Sequence, residues 1–141
     1  MEIGLVSCTA DKRDEAASPR DLYDASTYFR KMRDYADTHH DRWYVLSARH
    51  GLLVPDGDPV EPYEETLADA PAEERERWAD CVFGSLWRRE RLDADTTVVF
   101  HAGRDYTEPL RPLLAKTDAS VENPTEGMQI GERLQWYDRQ Q

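Results

Sequence analysis

Near its amino terminus the chain reads Ile3-Gly4-Leu5-Val6-Ser7-Cys8-Thr9-Ala10-Asp11-Lys12, an apolar run that gives way abruptly to small, nucleophilic and cationic residues. An apolar run of this length with a polar end is typical of a buried strand that presents a site at its carboxyl end. The stretch therefore predicts both the first strand of a sheet and the edge at which a ligand binds.

Two further runs have the same character. Residues 43–46 are mostly aromatic or β-branched and continue into Ser47-Ala48-Arg49-His50-Gly51, and residues 96–100 continue into His101-Ala102-Gly103-Arg104. Near-continuous apolar character is typical of strands that are buried on both faces. We predict strands at both places and a weaker one near residues 119–121.

Amphipathic stretches separate these runs. Helical spacing predicts a helix over residues 26–39 with Asp24 or Ser26 as N-cap, and another over 71–91 whose buried stripe includes Cys81. A short helix follows the third strand, and residues 130–137 form the last helix. The proline-rich residues 52–63 are predicted to be an irregular flap over the site. This alternation predicts one α/β domain over residues 1–141: a three-layer, Rossmann-like, mainly parallel sheet of about four strands with helices on both faces.

The composition limits the possible partners. The net charge is −11, from 29 acidic and 18 basic side chains, and the only lysines are Lys12, Lys31 and Lys116. Nonspecific duplex binding depends on many cationic contacts to phosphates, so a broad duplex-binding face is not expected, whereas a few arginines within one cleft are compatible. The acidic surface suits a halophilic source, and an ordinary acidic cytosolic protein is the alternative.

The two cysteines, Cys8 and Cys81, lie far apart and show no pairing pattern, which indicates a reducing compartment. No cationic leader and no run of eighteen apolar residues is present. We expect a soluble cytoplasmic protein.

In a parallel sheet of this class, ligands bind outside the carboxyl ends of the strands. Collecting the residues at those ends gives the candidate site: Ser7, Cys8, Thr9, Lys12, Ser47, His50, Gly51, His101, Gly103, Arg104 and Tyr106. The glycines form neither a Walker nor a dinucleotide fingerprint, which argues against a nucleoside triphosphate or NAD site, and we expect no cofactor. A zinc site is not expected either, because His50, His101 and Cys8 lack a further ligand at metal spacing.

Each candidate has more than one role open to it. Cys8 is either a nucleophile or ligand contact, or a small buried residue at a strand end. Lys12 is an anchor for phosphate or carboxylate, an amine nucleophile, or a solvated cation. His50 and His101 suit general acid or base catalysis.

Arg104 and Tyr106 are candidates for substrate binding. The guanidinium of Arg104 suits a phosphate, and the ring of Tyr106 suits stacking on a base or packing in the following helix.

Several short motifs together resemble a family of uncharacterised prokaryotic and archaeal proteins, a domain of unknown function. They are Ser7-Cys8 with Lys12; Leu22-Tyr23 with Ser26, Phe29 and Lys31; Leu-Ser-Ala-Arg-His-Gly-Leu-Leu over residues 46–53; Pro62-Tyr63 with Leu67; and Ala102-Gly103 with Tyr106. Thr9 and Ala10 stand where that family has Ser and Lys, which leaves Lys12 as the sole lysine of the loop. The Cys, Lys and Tyr-x-Ser elements also resemble, more remotely, the core domain of archaeosine synthase, which acts on a deazaguanine base in transfer RNA.

That resemblance implies nucleobase or nucleoside chemistry with Lys12 facing the substrate. We therefore expect a nucleic-acid or nucleoside modification enzyme of the N-glycosidase or base transferase type, with Lys12, His50 and Cys8 as catalytic residues and the other candidates as substrate-binding residues. The expected partner is a nucleobase, a nucleotide or a short nucleic-acid segment. The alternative is a noncatalytic nucleotide-binding or regulatory module.

Overall fold

A five-stranded sheet forms the middle layer of the computed structural model, which describes residues 1–141. The strands are β1 (Glu2–Ser7), β2 (Arg42–Ser47), β3 (Gly51–Leu53), β4 (Thr97–His101) and β5 (Ser120–Glu122). Their spatial order is β3-β2-β1-β4-β5. All neighbours run parallel except β2 and β3, which form an antiparallel edge pair. The predicted mainly parallel α/β sheet is confirmed.

Helices cover both faces of this sheet. They are α1 (Pro19–Leu22), α2 (Thr27–His39), α3 (Ala72–Arg89), α4 (Arg104–Leu114) and α5 (Ile130–Arg139), with a 3₁₀ turn at Leu67–Asp69. The side chain of Ser26 accepts a hydrogen bond from the backbone N–H of Phe29 and caps α2, as expected. None of these helices combines the length and the apolar character that crossing a lipid bilayer requires.

Side chains along β1 alternate between two apolar layers. Ile3 and Leu5 pack with the layer under α3 and α4, and Val6 packs with the layer under α2 and α5. This alternation follows from the two-residue period of a strand, and burial on both faces explains the continuous apolar run that the sequence shows. Each fully buried Ile, Leu or Val side chain contributes roughly 1.5–3 kcal/mol through its removal from water.

Two sequence expectations are wrong in this region. β3 lies where an irregular loop was expected, because Gly51 adopts a φ of +76° and turns the chain back against β2. Cys81 is exposed rather than part of the buried stripe of α3. That stripe is centred on Ala79, Val82 and Leu86, and at 3.6 residues per turn Cys81 falls outside it.

Candidate functional site

A cavity of about 380 Å³ opens at the carboxyl edge of the sheet, where the end of β1, the start of α4 and the flap before α3 meet. We call it the Cys8 cavity. Its lining residues come from the loop after β1, from the end of the flap and the three residues that follow it, and from α4: Cys8, Thr9, Ala10, Lys12, Tyr63, Glu64, Glu65, Thr66 and Tyr106. The carboxyl-edge position follows from the parallel order of β2, β1 and β4, whose polar ends converge there.

Cys8 forms the inner wall of the cavity and is nearly buried. Its Sγ lies 3.3 Å from the hydroxyl of Tyr106 and accepts a hydrogen bond from the backbone N–H of Ala48 at 3.4 Å. Burial, reinforced by the neighbouring Cys8, raises the pKa of the Tyr106 phenol above its usual value of about 10. Tyr106 is therefore a protonated phenol at neutral pH and can donate a hydrogen bond.

Lys12 supplies the free cation of the cavity. Its Nζ lies 4.5 Å from the ring centroid of Tyr63 and 5.8 Å from that of Tyr23, and it donates a hydrogen bond to the carbonyl of Ala10 at 3.3 Å. No carboxylate lies within ion-pair distance of it. The ammonium is thus held by two aromatic faces and one carbonyl, and its charge is left for a ligand.

The rim of the cavity carries two carboxylates from the segment that follows the flap. Glu65 pairs with Arg49 at 3.1 Å, whereas Glu64 makes no ion pair. Lys12 and Glu64 therefore provide one unpaired cation and one unpaired anion around the same space. A donor and an acceptor of protons in one cavity is the minimum that acid–base chemistry requires.

A chain of buried hydroxyl groups fixes the wall formed by Tyr63. Ser47 donates to the hydroxyl of Tyr63 at 2.7 Å, and the hydroxyls of Tyr63 and Tyr23 share a hydrogen bond of 2.6 Å. The backbone N–H of His50 donates to Ser47, and the indole of Trp78 donates to its carbonyl. Burial raises the pKa of both tyrosines, so these phenols stay protonated and the ring that faces Lys12 is held in place.

His101 does not reach the Cys8 cavity. Its ring is fully buried under α2 and α5, with Nε2 2.7 Å from Nε2 of His40 and Nδ1 2.6 Å from the hydroxyl of Tyr137. His40 in turn bonds Glu2 through Nδ1 at 2.9 Å. We call these four residues, Glu2, His40, His101 and Tyr137, the histidine network. Burial, together with the neighbouring histidines, lowers the pKa of His101 to about 3.

The histidine network depends on the glycine in the first strand. A Cβ on Gly4 would lie 2.5 Å from Cδ2 of His40, closer than van der Waals contact allows. Only glycine lets the His40 ring lie against β1 and reach His101.

A family model described as a family of unknown function (DUF6884) matches residues 3–139. The chain belongs to this family. No curated protein and no solved structure matched the chain. Membership in DUF6884 is consistent with the resemblance to an uncharacterised domain, and no match supports the more remote resemblance to archaeosine synthase.

For this DUF6884 member, the structure separates the candidate residues into three groups. Cys8, Thr9, Lys12 and Tyr106 line one cavity. Four others do not line it: Ser7 and Ser47, which are buried; Gly51, the first residue of β3; and His50, an exposed residue whose ring packs edge-on against Tyr63 with 5.4 Å between the ring centroids. Burial lowers the pKa of His50, and the nearby positive charge of Arg49 lowers it further.

The third group lies away from the cavity. It comprises His101, Gly103 as the N-cap of α4, and Arg104, which is 85% exposed and pairs with Glu108. Tyr63 and Glu64 were not among the sequence candidates, although the Pro62-Tyr63 motif on the flap was a usable signal for Tyr63. No cluster of three or more His, Cys, Asp or Glu side chains is placed to hold a metal ion.

Proposed function

We propose that the protein modifies a nucleoside, free or within a nucleic acid, by breaking an N-glycosidic bond or exchanging the base in the Cys8 cavity. The observation that carries this proposal is the unpaired ammonium of Lys12, held 4.5 Å from the Tyr63 ring centroid in a cavity that Cys8 and Tyr106 also line. The proposed ligand is a nucleobase, a nucleotide or a short nucleic-acid segment.

The size and walls of the cavity support a ligand of this class. Its volume of about 380 Å³ lies within the range of small-molecule sites, which is roughly 300–1,000 Å³. The rings of Tyr63 and Tyr106 offer aromatic surface, and bases stack on aromatic side chains without regard to sequence. The phenol of Tyr106 offers a hydrogen-bond donor to a ring nitrogen or carbonyl of the base.

The proposed reaction uses the two unpaired charges. The C1′–N bond breaks, its electron pair leaves with the base nitrogen, and that nitrogen takes a proton from the Lys12 ammonium. A water oxygen, or a nitrogen of an incoming base in the transfer reaction, bonds to C1′ and loses its proton to Glu64. General acid and general base catalysis each contribute roughly 10²–10⁴ in rate.

A specific observation favours the alternative, a noncatalytic nucleotide-binding module. Most polar atoms of the wall already bond one another: Sγ of Cys8 is engaged by Tyr106 and Ala48, and Tyr63 is engaged by Ser47 and Tyr23. A saturated wall of this kind suits rigid holding of a ligand. In this reading Lys12 only neutralises an anionic group.

The experiment incubates the protein with nucleosides and with single-stranded RNA and DNA, and measures released or exchanged base by mass spectrometry. We expect release by the wild type and a loss of about 100-fold or more in Lys12→Ala. Lys12→Arg should bind but lose turnover, because a guanidinium keeps the charge and does not release a proton. Lys116→Ala, which removes an exposed lysine outside the cavity, is the control. Tight binding of a nucleotide with no conversion of any substrate would establish the module instead.

A further inference from the structure

We propose that a second cavity binds a phosphodiester of a single-stranded nucleic acid whose base occupies the Cys8 cavity. The cavity has a volume of about 670 Å³ and lies between α4 and the loop that joins β5 to α5. We call it the arginine cleft. This inference rests on the proposed function, since it names the substrate as a polynucleotide rather than a free base.

The net charge of the residues that line the arginine cleft is opposite in sign to that of the whole chain. Arg104, Arg111 and Arg133 face Glu108 and Glu126, which leaves one net positive charge in a chain whose net charge is −11. Glu108 pairs with Arg104, and Glu126 pairs with Arg111 at 2.8 Å. The excess charge therefore belongs to Arg133, and a phosphodiester carries one negative charge.

Arg133 is held rigidly and has no acidic partner. Its Nε donates to the carbonyl of Met128 at 3.0 Å, and its Nη1 donates to the carbonyl of Ala102 and the hydroxyl of Tyr28, both at 3.2 Å. All three partners are neutral, and the side chain is half-buried. A partly desolvated guanidinium without a counter-ion is costly by itself, and an anionic ligand would offset that cost.

Asn123, which also lines the cleft, has a side-chain oxygen without a hydrogen-bond partner. This atom, Oδ1, is buried. Buried polar atoms are nearly always bonded in folded proteins, and a donor on a ligand in the cleft or on an ordered water would complete the bonding of this oxygen. A nucleotide offers several N–H and O–H donors for this oxygen on its base and sugar, whereas the hydrogen phosphate dianion offers a single O–H.

The positions of the two cavities connect them. Tyr106 lines the Cys8 cavity, and Arg104 and Thr107 line the arginine cleft, so the cavities flank the first turn of α4 on opposite sides. A single strand that passes the end of this helix would place a base in one cavity and the adjoining phosphate in the other. Positive grooves that follow the backbone beside aromatic platforms for bases are the usual form of single-strand binding.

The test compares the affinities of a dinucleoside monophosphate and of the matching nucleoside, using the wild type, Arg133→Gln and Arg111→Gln. In the wild type the dinucleotide should bind about 10-fold more tightly, and this ratio should fall toward one in Arg133→Gln, as expected for one charged hydrogen bond. For a labelled single strand, the slope of log affinity against log salt concentration should be smaller in magnitude by about 0.7 in Arg133→Gln than in the wild type. Arg111→Gln, at a more exposed side chain, reports on the cleft if Arg133→Gln unfolds.

Lys116→Gln removes one charge just after α4 but outside the cleft, and it should leave the ratio unchanged. The proposal is overturned if the ratio stays the same in both arginine variants, or if it falls equally in Lys116→Gln. It is also overturned if inorganic phosphate binds as tightly as the dinucleotide and competes with it. If the arginine variants weaken single-strand binding but no substrate is converted, the proposed reaction is refuted and the proposal for the arginine cleft is supported. If a substrate is converted but the arginine variants bind single strands as the wild type does, only the proposal for the arginine cleft is refuted.

Discussion

The Cys8 cavity and the histidine network both take polar residues from β1, β4 or the segments that follow them, yet they differ in what those residues can reach. In the cavity, Lys12 and Glu64 are left without ionic partners next to open space. In the network, Glu2, His40, His101 and Tyr137 bond one another, and the central imidazole is fully buried. Unpaired groups beside a cavity suit binding, whereas mutually bonded buried groups specify the fold.

The register of the sheet accounts for this difference. His101 pairs with Val6, a core residue, whereas Cys8 lies two residues beyond that level, past the last residue of β1. The His101 ring therefore lies within the layer under α2 and α5, and the Cys8 side chain reaches the edge. Two residues along the same face of the strand therefore decide whether a polar side chain meets a ligand or the core.

The sharpest way to test the contrast is to break the histidine network. His101→Ala should lower the free energy of unfolding by about 3 kcal/mol, because it leaves a cavity and removes a partner from both His40 and Tyr137. Urea unfolding at neutral pH measures the loss. His39→Ala is the matched control, since this exposed histidine stacks on Tyr35 at the end of α2 and should cost under about 0.5 kcal/mol. Equal costs in the two variants would contradict the structural role of His101.

A second test uses pH. The pKa of His101 is lowered to about 3 in the folded protein, while an unfolded histidine titrates near 6.5. Below about pH 6.5 the unfolded chain therefore binds a proton that the folded chain does not, and stability falls as the pH drops toward 3. The fall in the free energy of unfolding between about pH 6.5 and 5 occurs above the pH range in which most carboxylates titrate. In His101→Gln, urea unfolding at a series of pH values should show a smaller fall in the free energy of unfolding over this range. An unchanged dependence on pH in that variant would assign the fall to other groups.

Much of the fold follows from local pattern, because the signals there are strong. The four parallel strands, the Ser26 cap and the long helices α2 and α3 were predictable from apolar runs and helical spacing. β3 was not, since its three residues carry no alternation and depend on pairing with β2. Short edge strands are formed by tertiary contact rather than by their own sequence.

The candidate site was only partly predictable. Cys8, Lys12 and Tyr106 were found because each follows a strand end, and all three line one cavity. The sequence misplaces His101, because the third apolar run predicts a strand that ends at residue 100, whereas β4 extends through His101. The network role of His40 could not be predicted either, because it depends on the close approach allowed by Gly4 from a distant part of the chain.

The two cysteines give the test with the smallest expected effect. It compares a side chain that is hydrogen-bonded in the cavity wall, Cys8, with one on the exposed surface, Cys81. Cys8→Ala removes an Sγ that bonds Tyr106 and the N–H of Ala48, and should cost about 1–2 kcal/mol of stability. Cys81→Ala, at an exposed position of α3, should change stability by less than about 0.5 kcal/mol. A thiol reagent should label Cys81 rapidly in the folded protein and Cys8 slowly, until denaturant exposes it. Rapid labelling of Cys8 in the folded protein would mean that its bonds to Tyr106 and Ala48 do not hold the wall, and that Cys8 belongs with the free groups of the cavity.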